Sequence, residues 1–112
     1  KVTRPMKILK AFRTLDRHGR HRAPEVIEEE ARQLASHLKR FRDDLVRLEA
    51  TVSQTKGKKR IHVSLRLQLP SGVIAAQEEG FEVEPVLRKA FADLRHRLDR
   101  HVARIRHEPD WK

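Results

Sequence analysis

The spacing of apolar positions divides the chain into six elements. Met6, Ile8 and Phe12 fall on one side at period two, interrupted by Lys10, and predict a strand over 6–14. Residues 15–23 carry Gly19 and many basic side chains, which predicts a loop. Pro24 then stands where helices favour proline, in a first turn. Ile27, Ala31, Leu34, Leu38, Phe41 and Leu45 recur by fours and threes, so a helix is predicted over about 24–44. Glu25, Glu28, Glu29 and Glu30 near its start and Lys39, Arg40 and Arg42 near its end would complement the helix dipole. Val46, Leu48, Ala50 and Val52 alternate with Arg47, Glu49, Thr51 and Ser53, as a half-buried strand does. Residues 55–60 predict a cationic hairpin loop. Ile61, Val63, Leu65, Leu67 and Leu69 make the cleanest alternation in the chain. Pro70-Ser71-Gly72 is a tight turn, and Val73 to about Glu78 is a third strand of the meander. A second helix is predicted from Glu84-Pro85 to about His107, with Leu87, Phe91, Leu94, Leu98, Val102 and Ile105 as its apolar stripe. Residues 108–112 form a tail, expected to be flexible.

The order β-α-β-β-β-α predicts an α+β two-layer sandwich: a four-stranded mixed sheet with two helices packed on one face. A right-handed β-α-β crossover makes the first strand parallel to the second. The opposite sheet face is then open, lined by Arg47, Glu49, Thr51, His62, Ser64, Arg66 and Gln68. At 112 residues the chain is long enough for one core and one domain.

Composition narrows the chemistry. There is no cysteine, so disulfides, thiolate zinc sites and thiol nucleophiles are excluded. No apolar run approaches a membrane span, and residues 1–5 have no signal-peptide core, so a soluble cytoplasmic protein is expected. The formal net charge is +10. It is unevenly spread: residues 1–22 carry +7, 46–63 carry +4 and 88–107 carry +5, with acidic stretches between them. Such a balance favours a polyanionic partner, nucleic acid before membrane surface.

The second helix concentrates the argument. Arg88, Lys89, Arg95, His96, Arg97, Arg100, Arg104 and Arg106 lie off its apolar stripe, opposed only by Asp93 and Asp99. A solvated helix usually mixes signs for i,i+4 pairing. Arginine outnumbers lysine there six to one, and its planar fork suits phosphate oxygens. The hairpin cations Lys56, Lys58, Lys59 and Arg60 are a second candidate, although a basic tip also serves solubility. Lys39, Arg40 and Arg42 are a third, equally explained as helix-dipole partners. Arg17, Arg20 and Arg22, with His18 and His21, are a fourth. Phe12, Phe41 and Phe91 sit in core patterns, Phe81 is expected in the core too, and Trp111 belongs to the tail. No aromatic platform of the RNA-recognition type is evident, so phosphate and shape recognition of folded RNA is expected.

Catalytic and metal chemistry find little support. The seven histidines include pairs three apart (His18, His21) and five apart (His96, His101), neither with the spacing of a metal helix. Four scattered glycines make no phosphate loop, and no nucleophile motif occurs. A non-enzymatic protein without metal, cofactor or small-molecule substrate is expected.

Several residues resemble the ribosome hibernation promoting factors and ribosome-associated inhibitors, the sigma-54 modulation protein family. In the register of that family's last helix stands Ala92-Asp93-Leu94-Arg95-His96-Arg97-Leu98-Asp99-Arg100-His101, with Leu94, Leu98, Arg100 and His101 matching. His96 and Arg97 are polar replacements, Asp93 replaces a usual lysine, and Val102 stands where a basic residue is common. Ala76-Gln77-Glu78-Glu79-Gly80, Glu82-Val83-Glu84 and His37-Leu38-Lys39-Arg40-Phe41 resemble further stretches. The resemblance implies a monomeric protein on the small ribosomal subunit. It would touch 16S ribosomal RNA in the groove of mRNA and tRNA and promote hibernation of idle ribosomes. The chain's extent resembles the short class, made of this domain alone. Two other readings stand beside it: a general double-stranded-RNA-binding module, and a protein-interaction domain using the open sheet.

Overall fold

The structure, a computed structural model, describes residues 6–55, 57 and 60–107, without the side chains of Asp43, Arg106 and His107. The expected tail 108–112 and the hairpin lysines 56, 58 and 59 lie outside the described residues. The elements are β1 (Lys7–Arg13), α1 (Arg17–Ala35), β2 (Arg47–Gln54), β3 (Ile61–Leu69), β4 (Gly72–Gly80) and α2 (Val83–His107). A single turn of 3-10 helix, Asp43–Leu45, precedes β2. The sheet order is β1-β2-β3-β4; β1 runs parallel to β2, and the two remaining pairings are antiparallel. This is the predicted α+β sandwich, with strand positions within two residues of those expected.

One parity of the sheet builds the core. Leu48, Ala50 and Val52 of β2, Val63, Leu65 and Leu67 of β3, and Ile74 and Ala76 of β4 are buried against Val26, Ile27 and Leu34 of α1 and Leu87, Phe91, Leu94 and Leu98 of α2. Lys10, which interrupts the β1 pattern, belongs to this helix-covered side, and its ammonium meets Glu28 of α1 at 2.7 Å. A long aliphatic stem lets the edge strand keep a cation there. The opposite parity forms the open face: Arg47 pairs with Gln68, Glu49 with Arg66 and Thr51 with Ser64, and β4 adds the exposed Val73, Ala75 and Gln77.

The first helix departs from the expectation at both ends. It starts at Arg17, seven residues before Pro24, because Asp16 caps it: its Oδ1 accepts the Gly19 amide at 2.7 Å. Gly19 is no loop residue but a close-approach one, since a Cβ there would meet Asp16 Oδ1 at 3.2 Å and Leu15 Cδ2 at 3.3 Å. Pro24 lies inside the helix, where it forgoes the bond to the Arg20 carbonyl; the burial of Ala23, Val26 and Ile27 around it outweighs that loss. The helix ends at Ala35, and successive i to i−3 bonds tighten the chain over Ser36, His37 and Leu38. Leu38 still reaches the core and Phe41 packs against it, but Leu45 is exposed. Period-3.6 spacing continues through consecutive tight turns, which is why the predicted stripe ran past the true end. Lys39, Arg40 and Arg42 therefore follow the helix rather than cap it, and its first turn holds no acidic residue.

Candidate nucleic-acid interface

The cations of α2 divide into two populations. Arg88 and Arg95, two turns apart, face α1. Arg88 donates to Glu84 at 2.8 and 3.0 Å, to Glu29 at 2.8 Å and to Glu30 at 2.7 Å. Arg95 donates to the other oxygen of Glu30 at 2.9 Å. Arg22 of α1 closes the cluster on Glu84 at 3.0 Å. Glu30, with 5% of its side chain exposed, is thus a buried carboxylate shared by two arginines. Of the acidic run predicted as a helix-start device, Glu29 and Glu30 are instead the α1 half of an interhelical clamp, while Glu25 pairs with Arg22 and Glu28 with Lys10. Hydrogen bonds from Arg22 and Arg88 hold the Glu84 carboxyl down to about 2, and those from Arg88 lower Glu29. The same bonds raise both guanidinium groups further above their usual range.

The second population turns outward. Arg97, Arg100, His101 and Arg104 recur by threes and fours along one side of α2 and line a shallow groove of about 340 Å³ against Val73, Ile74 and Ala75 of β4. Arg97 pairs with Asp93 one turn earlier at 3.0 Å. His101 is fixed to the β3–β4 turn by a 2.8 Å hydrogen bond between its Nε2 and Ser71 Oγ. Arg100 and Arg104 are exposed, and among the described residues neither has an acidic partner; the remaining carboxylate of this stretch, Asp99, is held by His37 at 3.0 Å. Two cationic side chains spaced by one helical turn, beside an open strand edge, form a surface that phosphate oxygens can fill.

The other predicted positions distribute around this groove. The His37–Asp99 bond ties the turn after α1 to the second half of α2, so exposed Lys39 and Arg40 stand on the same end of the sandwich. Arg42 pairs with Asp44 at 3.0 Å. His96 is exposed, and Lys89, also exposed, lies 3.9 Å from Glu78. Arg60 belongs to the opposite end of α2: it bonds Glu79 at 2.9 Å and lies 5.6 Å from the centroid of the Phe81 ring. Arg17, Arg20 and His21, exposed at the start of α1, are near that end as well. Phe81 is 68% exposed, against the core position expected for it. Val83 and Val86 of the first turn of α2 take the buried positions beneath the end of β4, and Phe81 lies outside them. Nothing in the periodicity marks this, because Phe81 stands between two elements. The division of α2's arginines was equally hidden, since the acidic partners of the inner pair come mainly from another helix. No helix among the described residues is long and apolar enough to cross a membrane.

Comparison with known proteins agrees with this architecture. The family model described as "Sigma 54 modulation protein / S30EA ribosomal protein" matches residues 15–106, from the cap of α1 almost to the end of α2. No curated protein matches the chain significantly in sequence. Among solved structures, the Protein Y N-terminal domain of Thermus thermophilus is similar with a TM-score of 0.64 and 21% identity, over 86% of this chain and 99% of that one. A ribosomal subunit interface protein from Coxiella burnetii is similar with a TM-score of 0.60 and 18% identity, over 88% of this chain and 99% of that one. These two likenesses bear out the fold.

Proposed function

Because the chain belongs to the sigma 54 modulation protein / S30EA ribosomal protein family, we propose that it binds the small ribosomal subunit and silences idle ribosomes. It does so as a cytoplasmic monomer that occupies the groove of mRNA and tRNA through phosphate contacts to 16S ribosomal RNA. The observation that carries this reading is the outer side of α2, where Arg100 and Arg104 stand exposed beside Arg97 and His101 on a groove against β4. Desolvating unpaired guanidinium groups is unfavourable unless an anion meets them, and a phosphate backbone supplies one at each step. Lys39, Arg40 and His96 flank the same end, with Arg106 in sequence just beyond. Lys89, Arg42, Arg60 and the hairpin lysines Lys56, Lys58 and Lys59 extend the proposed footprint. Arg88 and Arg95 contribute through the clamp, by fixing the axis of α2.

The test is sedimentation of purified protein with ribosomes and isolated small subunits at two salt concentrations. Pelleting with the small subunit at about 50 mM salt is expected to fall by orders of magnitude at about 200 mM, as counterion release demands for several phosphate contacts. Equal affinity for any RNA duplex would favour the general RNA-binding module, and salt-insensitive pelleting would remove the phosphate mechanism.

A further inference from the structure

A second, larger cavity lies at the opposite end of α2, with a volume of about 650 Å³, between the starts of both helices, the end of β2 and the start of β3. We infer that it is a stacking site for one unpaired nucleobase, with guanine preferred. This rests on the RNA-binding reading above, with Arg60 and Arg88 common to both, but its discriminating residues, Phe81 and Glu82, lie outside that footprint.

Its aromatic wall is Phe81. Gly80 ends β4 so close to α2 that a Cβ would lie 2.5 Å from Val86 Cγ2, and this tight junction holds the following ring at the surface. Glu79 anchors Arg60 at 2.9 Å, and Arg60 lies over the ring at 5.6 Å from its centroid. The ring keeps 68% exposure and lines the cavity, so it offers a flat apolar surface backed by a cation. An aromatic side chain with an adjacent guanidinium is the arrangement on which splayed-out bases stack.

The polar wall selects among bases. Three carboxylates border the cavity besides the arginine Arg88. Asp16 is spent on the Gly19 amide, and Glu84 on Arg22 and Arg88. Glu82 is exposed, and among the described residues its carboxylate has no partner. A free carboxylate beside a stacked base accepts N–H donors. Guanine presents N1–H and N2–H in parallel and can engage both oxygens; adenine and cytosine present one amino group. Uracil flanks its single N–H with two carbonyls, which repel the carboxylate. All these edges are occupied in a duplex, so the ligand is an unpaired base. The exposed His18 on the cavity wall and Arg60 over the ring, with Arg17 and Arg20 on the same first turn of α1 as His18, suit its flanking phosphates.

The experiment is fluorescence anisotropy of the full chain with labelled pentaribonucleotides UUGUU, UUAUU and UUUUU at fixed salt. UUGUU is expected to bind about tenfold tighter than UUUUU, with UUAUU between them. Phe81→Ala, at an exposed position that leaves the fold intact, should lose about five- to 150-fold in affinity for UUGUU. Phe81→Tyr should retain it, and Glu82→Gln should abolish the preference for guanine while keeping stacking. Equal affinity for all three pentamers, or a Phe81→Ala variant that binds UUGUU as the parent does, would overturn the inference. Binding of a protein segment to Phe81 in place of RNA would appear as the second of these results. The two readings separate cleanly. Protein that pellets with ribosomes yet shows no base preference removes only the stacking site. Selective pentamer binding by protein that never pellets removes only the ribosomal role.

Discussion

Arg88 and Arg100 occupy one helix and carry the same group, yet their surroundings assign them different work. Arg88 meets three glutamates from two elements within 3.0 Å, and its charge is cancelled inside the protein. Arg100, just over three turns further on, is exposed and, among the described residues, has no acidic partner. A count of cations therefore overstates the charge available to a polyanion. The inner pair, Arg88 and Arg95, stabilises the contact of α1 with α2; the outer positions are the ones whose charge can be used by another molecule.

The comparison breaks first at Glu30. Glu30→Ala leaves two arginines without their shared buried partner and should destabilise the fold by about 3 kcal/mol, read from the midpoint of urea unfolding. A loss below about 0.5 kcal/mol would mean that the clamp is only a surface ion pair. Next, Arg100→Glu with Arg104→Glu should weaken binding to small subunits by about 100-fold while leaving the unfolding midpoint within experimental scatter. Retained sedimentation by that folded variant would move the interface elsewhere. Arg95→Glu makes a poor companion for this test, because it would set a second carboxylate against the buried Glu30.

The smallest effect concerns pH. Glu84 titrates at about 2 in the folded protein, below its ordinary value of 4.5. A carboxylate lowered by folding contributes stability that is full above its unfolded value and is lost as pH falls toward its folded one. The stability difference between the parent and Glu84→Gln should thus be constant above pH 5 and shrink progressively between 4.5 and 2. Glu29, shifted in the same direction, adds to the acid sensitivity of the parent, and because the Glu84 charge opposes that shift, Glu29 contributes to the difference as well. A difference that does not change with pH would show that Arg22 and Arg88 do not act through the Glu84 charge.

Much of this fold is legible along the chain because its signals are local. The alternation from Ile61 to Leu69 predicts β3 to the residue, since one buried face demands period two whatever packs on it. The stripe of α2 predicts a helix that begins within one residue of the observed start. The limits of α1 were not legible in the same way. Capping by Asp16 competes with the stronger-looking proline signal at Pro24, and tight turns after Ala35 imitate helical spacing.

By itself, then, the sequence determined the order of the elements, the face each strand buries and the concentration of arginine on the last helix. All of these follow from periodicity and charge counted within a few neighbours. Only the tertiary structure decided which arginines are spent. The distance from Glu30 to Arg88 and Arg95 is short in space, 2.7 and 2.9 Å, but about sixty positions long in the chain. It likewise decided that Phe81 faces outward, because Gly80 brings the end of β4 against Val86, and Val83 and Val86 take the buried positions there. Charge neutralisation and room for a side chain are properties of packing, and packing joins residues that the chain keeps far apart.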